Sequence, residues 1–203
     1  MGLYQRHLLP WLIDASMRAA MLAPYRRQAA AGCVGRILDI GVGSGLNLAF
    51  LPLDRDVVGI DPSAALLAKV RRQTAAGARE VMLIRGAAER LPLVDGSFDS
   101  VLLTWTLCSI AHPAAALAEI RRVLRPDGML HYVEHGAAPE HRVRRMQDHL
   151  TPAWRRISGG CHLNRDIPAL LLAAGFRVVE SDDAYAPGPK LLTYFYTGRA
   201  VAA

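Results

Sequence analysis

The sequence predicts an α/β protein with a single doubly wound, mostly parallel sheet of seven strands and helices on both faces. Apolar strand-like runs alternate with amphipathic helices along the chain. A glycine-rich turn joins the first strand to the next helix. The 203 residues, 52% of them hydrophobic, suit one domain with a sizeable core. In such a sheet, ligands bind at the carboxyl ends of the strands.

Each predicted strand is a short apolar run bounded by turn residues, and each predicted helix repeats apolar residues every three or four positions. In chain order, the strands are RILDI, DVVGID, EVMLIRG, FDSVLLTW, DGMLHYVEH, RVVESDDAYA and LLTYFYTGRAVA. The helices that connect or follow them are GLNLAFL, SAALLAKVRRQTAAG, HPAAALAEIRRVLR, PEHRVRRMQDHLTPAWRRI and NRDIPALLLAAGF. Ser63 caps the second of these helices, Pro113 lies in the first turn of the third, and Asn164 opens the last.

Ahead of the first strand, apolar residues at helical spacing predict one amphipathic helix that ends near Pro24 and Gly32. Charged residues interrupt this segment well before the roughly 18 apolar residues that a membrane-spanning helix needs. We therefore expect a cytoplasmic protein. The residues that set the helical pattern are Leu8, Leu12, Ala15, Ala19 and Leu22.

The charged residues and the cysteines limit the classes of partner. The net charge of +6 comes mostly from arginine clusters such as HRVRR and WRR, which are typical of solvated helix faces. We expect no nucleic-acid partner, while the same clusters leave peripheral membrane contact open. Cys33, Cys108 and Cys161 are an odd, widely spaced set, which favours reduced thiols over disulfides. They lack zinc-site spacing, so no metal is expected.

The stretch ILDIGVGSGLN, residues 37–47, predicts a cofactor site at the end of the first strand. Its glycines follow G-x-G-x-G, and Leu46 stands where the dinucleotide fingerprint requires a third glycine. Asp39 would repel a pyrophosphate but suits a cationic amino-acid group. Asp61, at the end of the second strand, suits ribose hydroxyls. Together these features indicate S-adenosylmethionine.

The motifs in this order resemble the class I S-adenosylmethionine-dependent methyltransferase family, of the methyltransferase type 11-like kind. The resemblance covers about residues 36–134 through LDIGVGSGLN, VVGIDPSAALLAKVR, GAAERLPLVDGSFDSVLLTWTL and EIRRVLRPDGML. The segments LCSI, VEHGAAP and LTPAWRRISGGCHLNRD are most similar to the group that contains animal thiol S-methyltransferases. The resemblance implies a Rossmann-like methyltransferase fold, bound S-adenosyl-L-methionine and the product S-adenosyl-L-homocysteine.

The resemblance also implies a role for each matching residue. Many relatives carry an acid where this chain has Ala87, so adenine recognition must rely on neighbouring groups. We expect no counterpart of the membrane anchor of the animal thiol enzymes, which argues against a membrane location. The implied cofactor residues are Asp39, Gly41, Gly43 and Gly45 at the methionine end, Asp61 and Pro62 at the ribose and adenine, Ala88 and Glu89 beside the adenine, and Thr104 on the methionine side.

We expect one methyltransferase domain over residues 1–203. Residues 1–33 would form an N-terminal helical lid, residues 34–136 the cofactor-binding core, and residues 137–203 the acceptor-side helices and final strands. A lid is expected because methyl transfer requires that water be excluded and product then released. It would bring Tyr4, His7 and Trp11 to the acceptor pocket.

Methyl transfer from a sulfonium needs little beyond positioning and a modest base. His135 follows the fifth strand and His162 lies in a glycine-rich loop, so either could be the catalytic base; His112 is a weaker candidate. The other predicted walls of the acceptor pocket are Trp105, Cys108 and Trp154.

The sequence leaves three functions open. The first is methyl transfer to a small-molecule acceptor, possibly a thiol. The second is a phospholipid or quinone methyltransferase at a membrane surface, and the third is a non-catalytic regulatory subunit that binds S-adenosylmethionine. The oligomeric state is not set by the sequence.

Overall fold

The computed structural model describes residues 8–75 and 79–203. Within these ranges the α-helices are α1 (Leu9–Met17), α2 (Ala23–Ala31), α3 (Ala64–Ala75), α4 (Pro113–Val123), α5 (His141–Ile157) and α6 (Ile167–Ala173). The strands are β1 (Ile37–Ile40), β2 (Val57–Asp61), β3 (Val81–Arg85), β4 (Phe98–Thr104), β5 (Leu124–His135), β6 (Phe176–Ser181), β7 (Ala184–Tyr185) and β8 (Tyr194–Ala202).

The strands form one sheet in the order β3-β2-β1-β4-β5-β8-β6, and the two-residue β7 pairs with β8. Strands β1 to β5 pair in parallel with one another. Strand β8 runs antiparallel to β5, β6 and β7. The predicted doubly wound, mostly parallel fold is confirmed. The eighth strand arises because the segment predicted as one strand, RVVESDDAYA, divides into β6 and β7.

Both faces of the sheet are covered by apolar residues and helices. On one face, Leu38 and Ile40 of β1 pack in the same cluster as Leu117 of α4. On the other face, Ile37 packs with Ala30 of α2. Successive residues of a strand point to opposite faces, so a continuous apolar run such as ILDI supplies both layers and leaves Asp39 on the α2 side.

The helices at the N-terminal end differ from the sequence prediction. The predicted single helix is divided into α1, a short 3₁₀-helix at Ala20–Leu22, and α2. Pro24 lies in the first turn of α2 and so helps to begin a helix rather than end one. Proline fits this position because the first helical N–H groups have no partner within the helix.

Two other helix predictions also need correction. The segment GLNLAFL forms only a 3₁₀-helix at Leu46–Ala49. Helix α6 is capped by Asp166, whose carboxylate accepts from the Ala169 amide, and not by Asn164. The Asn164 amide instead donates to Asp148 across 2.7 Å. The predicted Ser63 cap is present, because its hydroxyl accepts from the Leu66 amide at 3.4 Å.

The strand order reverses between β1 and β4. The chain winds from β1 to β3 in one direction and from β4 to β5 in the other. Such a reversal opens a crevice at the carboxyl ends of the two central strands, where doubly wound proteins bind ligands.

Candidate active site

The glycine loop after β1 adopts a backbone conformation that residues with side chains rarely adopt. Gly41, Gly43 and Gly45 have φ values of +71°, +55° and +83°. A side chain at Gly41 would also clash with the Thr106 hydroxyl. At Gly43 a Cβ would meet only a backbone oxygen, at 3.8 Å. The loop therefore presents bare backbone and open space at its centre.

Asp39 is a buried carboxylate with unused hydrogen-bonding capacity. It is 0% exposed, its Oδ1 accepts from Asn47 at 2.9 Å, and its Oδ2 has no hydrogen-bond partner in the structure. Burial raises the pKa of Asp39 to about 7, against the lowering effects of Asn47 and of the Arg26 charge. A cationic donor beside Oδ2 would satisfy this oxygen and favour the ionised carboxylate.

A buried polar network continues from Asp39 to Thr104 and α2. Asn47 donates to Thr104 Oγ1 at 3.0 Å, and Arg26 donates to Asn47 Oδ1 at 3.0 Å. The Arg26 guanidinium lies 4.7 Å from the centroid of the Trp105 ring. The network fixes the ends of β1 and β4 relative to each other, at the place where the strand order reverses.

Asp61 connects the glycine loop to the start of α3. Its Oδ2 accepts from the Gly43 amide at 3.0 Å and its Oδ1 from the Ser63 amide at 2.7 Å. Burial raises the pKa of Asp61, and these two amides oppose that shift. Each carboxylate oxygen can accept a second hydrogen bond, so the side chain can hold the loop and still bind a hydroxyl. Pro62 beside it is exposed.

The residues after β3 lie next to Asp61. The Gly86 amide donates to the Asp61 carbonyl at 3.3 Å, and Ala88 is 7% exposed. Glu89 is half-buried and accepts from the His112 amide at 3.3 Å. The sequence-predicted ribose and adenine residues therefore lie at neighbouring strand ends.

A second buried carboxylate, Glu134, lies at the end of β5. Its Oε1 accepts from the amides of Thr106 and Leu107 at 2.8 and 2.9 Å, and its Oε2 accepts from the Cys108 amide at 3.1 Å. Burial raises the pKa of Glu134 to about 7, although the three amides lower it. Glu134 thereby fixes the loop that follows β4.

Arg165 holds the same loop through its carbonyl groups. Its guanidinium donates to the carbonyl of Leu107 and, at 2.6 Å, to that of Ile110. Burial lowers the pKa of Arg165, and the neighbouring Cys108 and Glu134 oppose this effect. A buried carboxylate thus binds the amides of the loop after β4, and a half-buried guanidinium binds its carbonyls.

The two histidine candidates have different surroundings. His162 is half-buried, and its Nδ1 lies 3.2 Å from the Cys108 carbonyl oxygen. His135 is 5% exposed; its Nδ1 lies 3.6 Å from Cys161 Sγ, and its Nε2 has no hydrogen-bond partner in the structure. Burial lowers the pKa of His162. His162 therefore anchors a loop, whereas His135 keeps a ring nitrogen available.

The tryptophans of the predicted acceptor-pocket wall lie on three different segments. Trp105 has a φ of +49° and packs edge-on against Phe195, with ring centroids 5.4 Å apart. Trp154 is half-buried on α5 and neighbours Cys161. Trp11 lies on α1 and is 59% exposed. Two further predicted pocket residues, Tyr4 and His7, lie outside the described residues.

Helix α1 contacts both sides of the crevice. The Asp14 carboxylate accepts from the Ser44 hydroxyl in the glycine loop and from Lys69 of α3 at 2.6 Å. At the other side, a Cβ at Gly159 would lie 2.9 Å from Ile13 Cδ1. The helix therefore spans the distance from the glycine loop to the loop between α5 and α6.

Sequence reasoning missed four residues that organise the site. Asn47 could have been suspected, because it lies eight residues after Asp39 in the same motif. The others carry no local signal, since they join the site through contacts between distant segments. The missed residues are Asp14, Arg26, Asn47 and Arg165.

Two absences apply to the described part of the chain. No group of three or more His, Cys, Asp and Glu side chains there is placed to hold a metal ion. None of the helices in residues 8–75 and 79–203 has both the length and the apolarity needed to cross a bilayer.

Comparison with known proteins adds independent observations. Residues 38–132 match the family model of a methyltransferase domain. The chain is 35% identical over 141 residues to thiol S-methyltransferase TMT1B of Homo sapiens, which covers 66% of this chain and 58% of that protein. It is 31% identical over 191 residues to demethylmenaquinone methyltransferase of Parafrankia sp. (strain EAN1pec), which covers 84% and 64% respectively.

The fold is shared with solved structures. The Burkholderia thailandensis 1,6-didemethyltoxoflavin-N1-methyltransferase, solved with 1,6-didemethyltoxoflavin and S-adenosylhomocysteine, matches with a TM-score of 0.67 and 21% identity. That match covers 94% of this chain and 81% of the solved chain. The present chain spans less than two thirds of the length of the curated relatives, 55% to 64% for the thiol S-methyltransferases. From the family model and these relatives, with which the strand order agrees, the chain belongs to the class I S-adenosylmethionine-dependent methyltransferase family.

Proposed function

We propose that this protein transfers a methyl group from S-adenosylmethionine to a small-molecule acceptor, preferably an alkyl thiol. The observation that carries the proposal is the unpartnered, buried Oδ2 of Asp39 at the edge of a loop that is open at Gly43. A buried carboxylate oxygen without a donor is costly, and the ammonium group of the cofactor would satisfy it.

The residues present fit the cofactor. Asp39 would accept from its ammonium group, and the backbone of the glycine loop would surround its methionine end. Asp61 would accept from a ribose hydroxyl through its remaining lone pairs, and Ala88 and Glu89 would flank the adenine. Once bound, S-adenosylmethionine supplies a methyl group already activated by a sulfonium.

The remaining task of the chain is to position the acceptor and exclude water. We assign the lid to α1, because it contacts the loops on both sides of the crevice. Among the histidines we assign proton acceptance to His135, whose Nε2 is free of hydrogen bonds. The Nδ1 of His162 is used by a backbone carbonyl. A thiol, with a pKa of about 8.5, needs only such a modest base at neutral pH.

Support for a thiol acceptor comes from the relatives. The thiol S-methyltransferases match at 33% to 35% identity, and the segments LCSI, VEHGAAP and GGCHLN resemble that group. Two of these segments contain Cys108 and His135, which lie beside the carboxyl ends of β4 and β5.

Labelled cofactor and matched alkyl thiol, amine and phenol acceptors would test the proposal, with products identified by mass spectrometry. We expect S-methyl product in excess. His135→Gln should lower thiol turnover most below pH about 8.5, because a more alkaline solution ionises the thiol without help. His162→Gln is the matched control, with a smaller effect at every pH. N-methyl product with no S-methyl product would contradict the thiol assignment.

A second candidate function is favoured by the surface of α5. Met146 and Leu150 are 53% and 46% exposed on this helix, and the neighbouring Arg142 and Arg145 are exposed as well. An apolar stripe bordered by arginines suits an anionic membrane surface. A phospholipid or quinone acceptor would then be presented there. Sedimentation with anionic vesicles over a salt series, combined with lipid turnover, distinguishes this candidate from a free thiol substrate. Cofactor binding without turnover of any acceptor would favour a regulatory subunit.

A further inference from the structure

Two of the three cysteines meet on the acceptor side, although 53 positions separate them in the chain. Cys108 lies in the loop after β4 and is 2% exposed. Cys161 lies between α5 and α6 and is partly exposed. Neither forms a disulfide in the structure. The two thiols are close enough to shift each other's pKa, upward for Cys108 and downward for Cys161.

Backbone contacts hold these two loops together independently of the thiols. The His162 amide donates to the Cys108 carbonyl at 2.9 Å. A Cβ at Gly160 would lie 3.0 Å from the Ser109 carbonyl oxygen, so this position leaves little room for a side chain. The residues on either side of Cys161 are therefore fixed against the residues at and after Cys108.

The surroundings of Cys161 favour its thiolate. The hydrogen bond from Cys108 lowers the pKa of Cys161 and outweighs the effect of burial, and His135 lowers it further. Cys161 Sγ lies 3.6 Å from His135 Nδ1. The His135 ring is 5% exposed and its Nε2 has no hydrogen-bond partner in the structure, so Cys161 is the one side-chain partner that the structure gives this ring by hydrogen bonding. In contrast, burial raises the pKa of Cys33 to about 12.

We propose that Cys161 and Cys108 form a peroxide-reactive dithiol, in which Cys161 is the attacking thiolate and Cys108 the resolving thiol. The Cys161 sulfur attacks one oxygen of hydrogen peroxide, the O–O bond breaks, and the departing hydroxide takes up a proton to become water. The Cys108 sulfur then attacks the sulfenic acid. The S–O bond breaks, the hydroxyl leaves as water with the Cys108 proton, and the disulfide forms. Two thiols lose two electrons, and peroxide is reduced to two waters.

The modification would connect the loop after β4 covalently to the loop between α5 and α6. It would also remove the thiolate beside His135, the proposed base. If the proposed thiol methylation is correct, the disulfide should lower acceptor turnover without weakening cofactor binding, because no cofactor-site residue lies in either loop.

The experiment exposes the full chain to a small excess of hydrogen peroxide, blocks the remaining thiols and maps peptides by mass spectrometry. We expect an intramolecular Cys108–Cys161 peptide, and a fall from three titratable thiols to one, Cys33. Dithiothreitol should restore all three. In the Cys108→Ser variant a sulfenic acid at Cys161 should be trapped by dimedone. Cys33→Ala is the matched control, and it should form the same disulfide.

Persistence of Cys108 and Cys161 as thiols under conditions that oxidise Cys33 would overturn the proposal. So would disulfides found only between chains on a non-reducing gel. The peptide map needs no variant and no methyl acceptor. It therefore decides the dithiol chemistry even if the methyltransferase proposal fails. Thermal stabilisation by S-adenosylhomocysteine before and after oxidation reports separately on the cofactor site.

Discussion

Two buried carboxylates lie at the carboxyl edge of the sheet, one on each side of the site, and burial raises the pKa of both to about 7. Asp39 is the penultimate residue of β1, on the proposed cofactor side, and Glu134 is the penultimate residue of β5, on the proposed acceptor side. Both are 0% exposed. Their hydrogen bonds differ, however. Both oxygens of Glu134 are occupied by three backbone amides, whereas one oxygen of Asp39 has no partner.

The difference separates a structural carboxylate from a ligand-binding one. Both carboxyl groups have a raised pKa, so the raised pKa does not identify the one that binds a cationic ligand. A carboxylate oxygen without a hydrogen-bond donor does identify it. We therefore infer that Glu134 maintains the loop after β4, and that Asp39 is held ready for a donor that the protein does not supply.

The largest effect should come from removing Glu134. Glu134→Ala leaves three buried amides without an acceptor, which should lower the free energy of unfolding by about 3 to 5 kcal/mol. Asp39→Asn removes a buried charge that lacks full compensation, so the stability of the cofactor-free protein should stay the same or rise. Urea unfolding of both variants measures the contrast. Equal destabilisation by the two substitutions would contradict the conclusion that Glu134 has a structural role and Asp39 does not.

The second effect is on cofactor affinity. Here the substitution of Asp39 should have the larger effect and the substitution of Glu134 the smaller. Asp39→Asn removes a charged acceptor, whose hydrogen bonds contribute roughly 1.5 to 3 kcal/mol, so S-adenosylhomocysteine should bind about 10- to 100-fold more weakly. Glu134→Gln should change the dissociation constant far less. Isothermal titration calorimetry measures both. If the Asp39 variant bound S-adenosylhomocysteine as tightly as the wild type, Asp39 would not be the acceptor for the ammonium group.

The same comparison explains what the sequence could reveal. Asp39, the three glycines and Asp61 lie within 25 residues, at two consecutive strand ends, so spacing alone brought them together in the prediction. The parallel sheet was also predictable, because uninterrupted apolar runs such as ILDI are typical of strands buried on both faces.

The acceptor side was less predictable, because its residues meet only through the tertiary fold. Arg165 reaches the carbonyl of Leu107 from 58 positions away, and Cys161 reaches His135 from 26. No local pattern marks such pairs. The helix boundaries that failed, at Pro24 and Asn164, failed because proline and asparagine can each stand at more than one position around a helix end.

A pH series sharpens the comparison further. Asp39 favours its protonated form in the cofactor-free protein, so its contribution to stability is complete below pH about 3.8 and is lost as the pH rises through about 7. A cationic ligand requires the ionised form. The affinity for S-adenosylhomocysteine should therefore rise with pH by up to about tenfold per unit below pH 7, and then level off. Asp39→Asn should flatten this dependence, and Glu134→Gln should preserve it.

The smallest expected effect concerns α1, which joins the two sides. Asp14 is 8% exposed and accepts from Ser44 and Lys69, so Asp14→Ala should release α1 from the glycine loop and cost about 1 kcal/mol. If α1 is the lid, the variant should release S-adenosylhomocysteine several-fold faster, with a smaller change in its association rate. Stopped-flow kinetics measure both rates. The matched control is Asp56→Ala, which removes a surface ion pair with Arg36 and should change neither rate. Equal release rates in the wild type and the Asp14 variant would show that the cofactor leaves without moving α1, and the lid assignment would then be wrong.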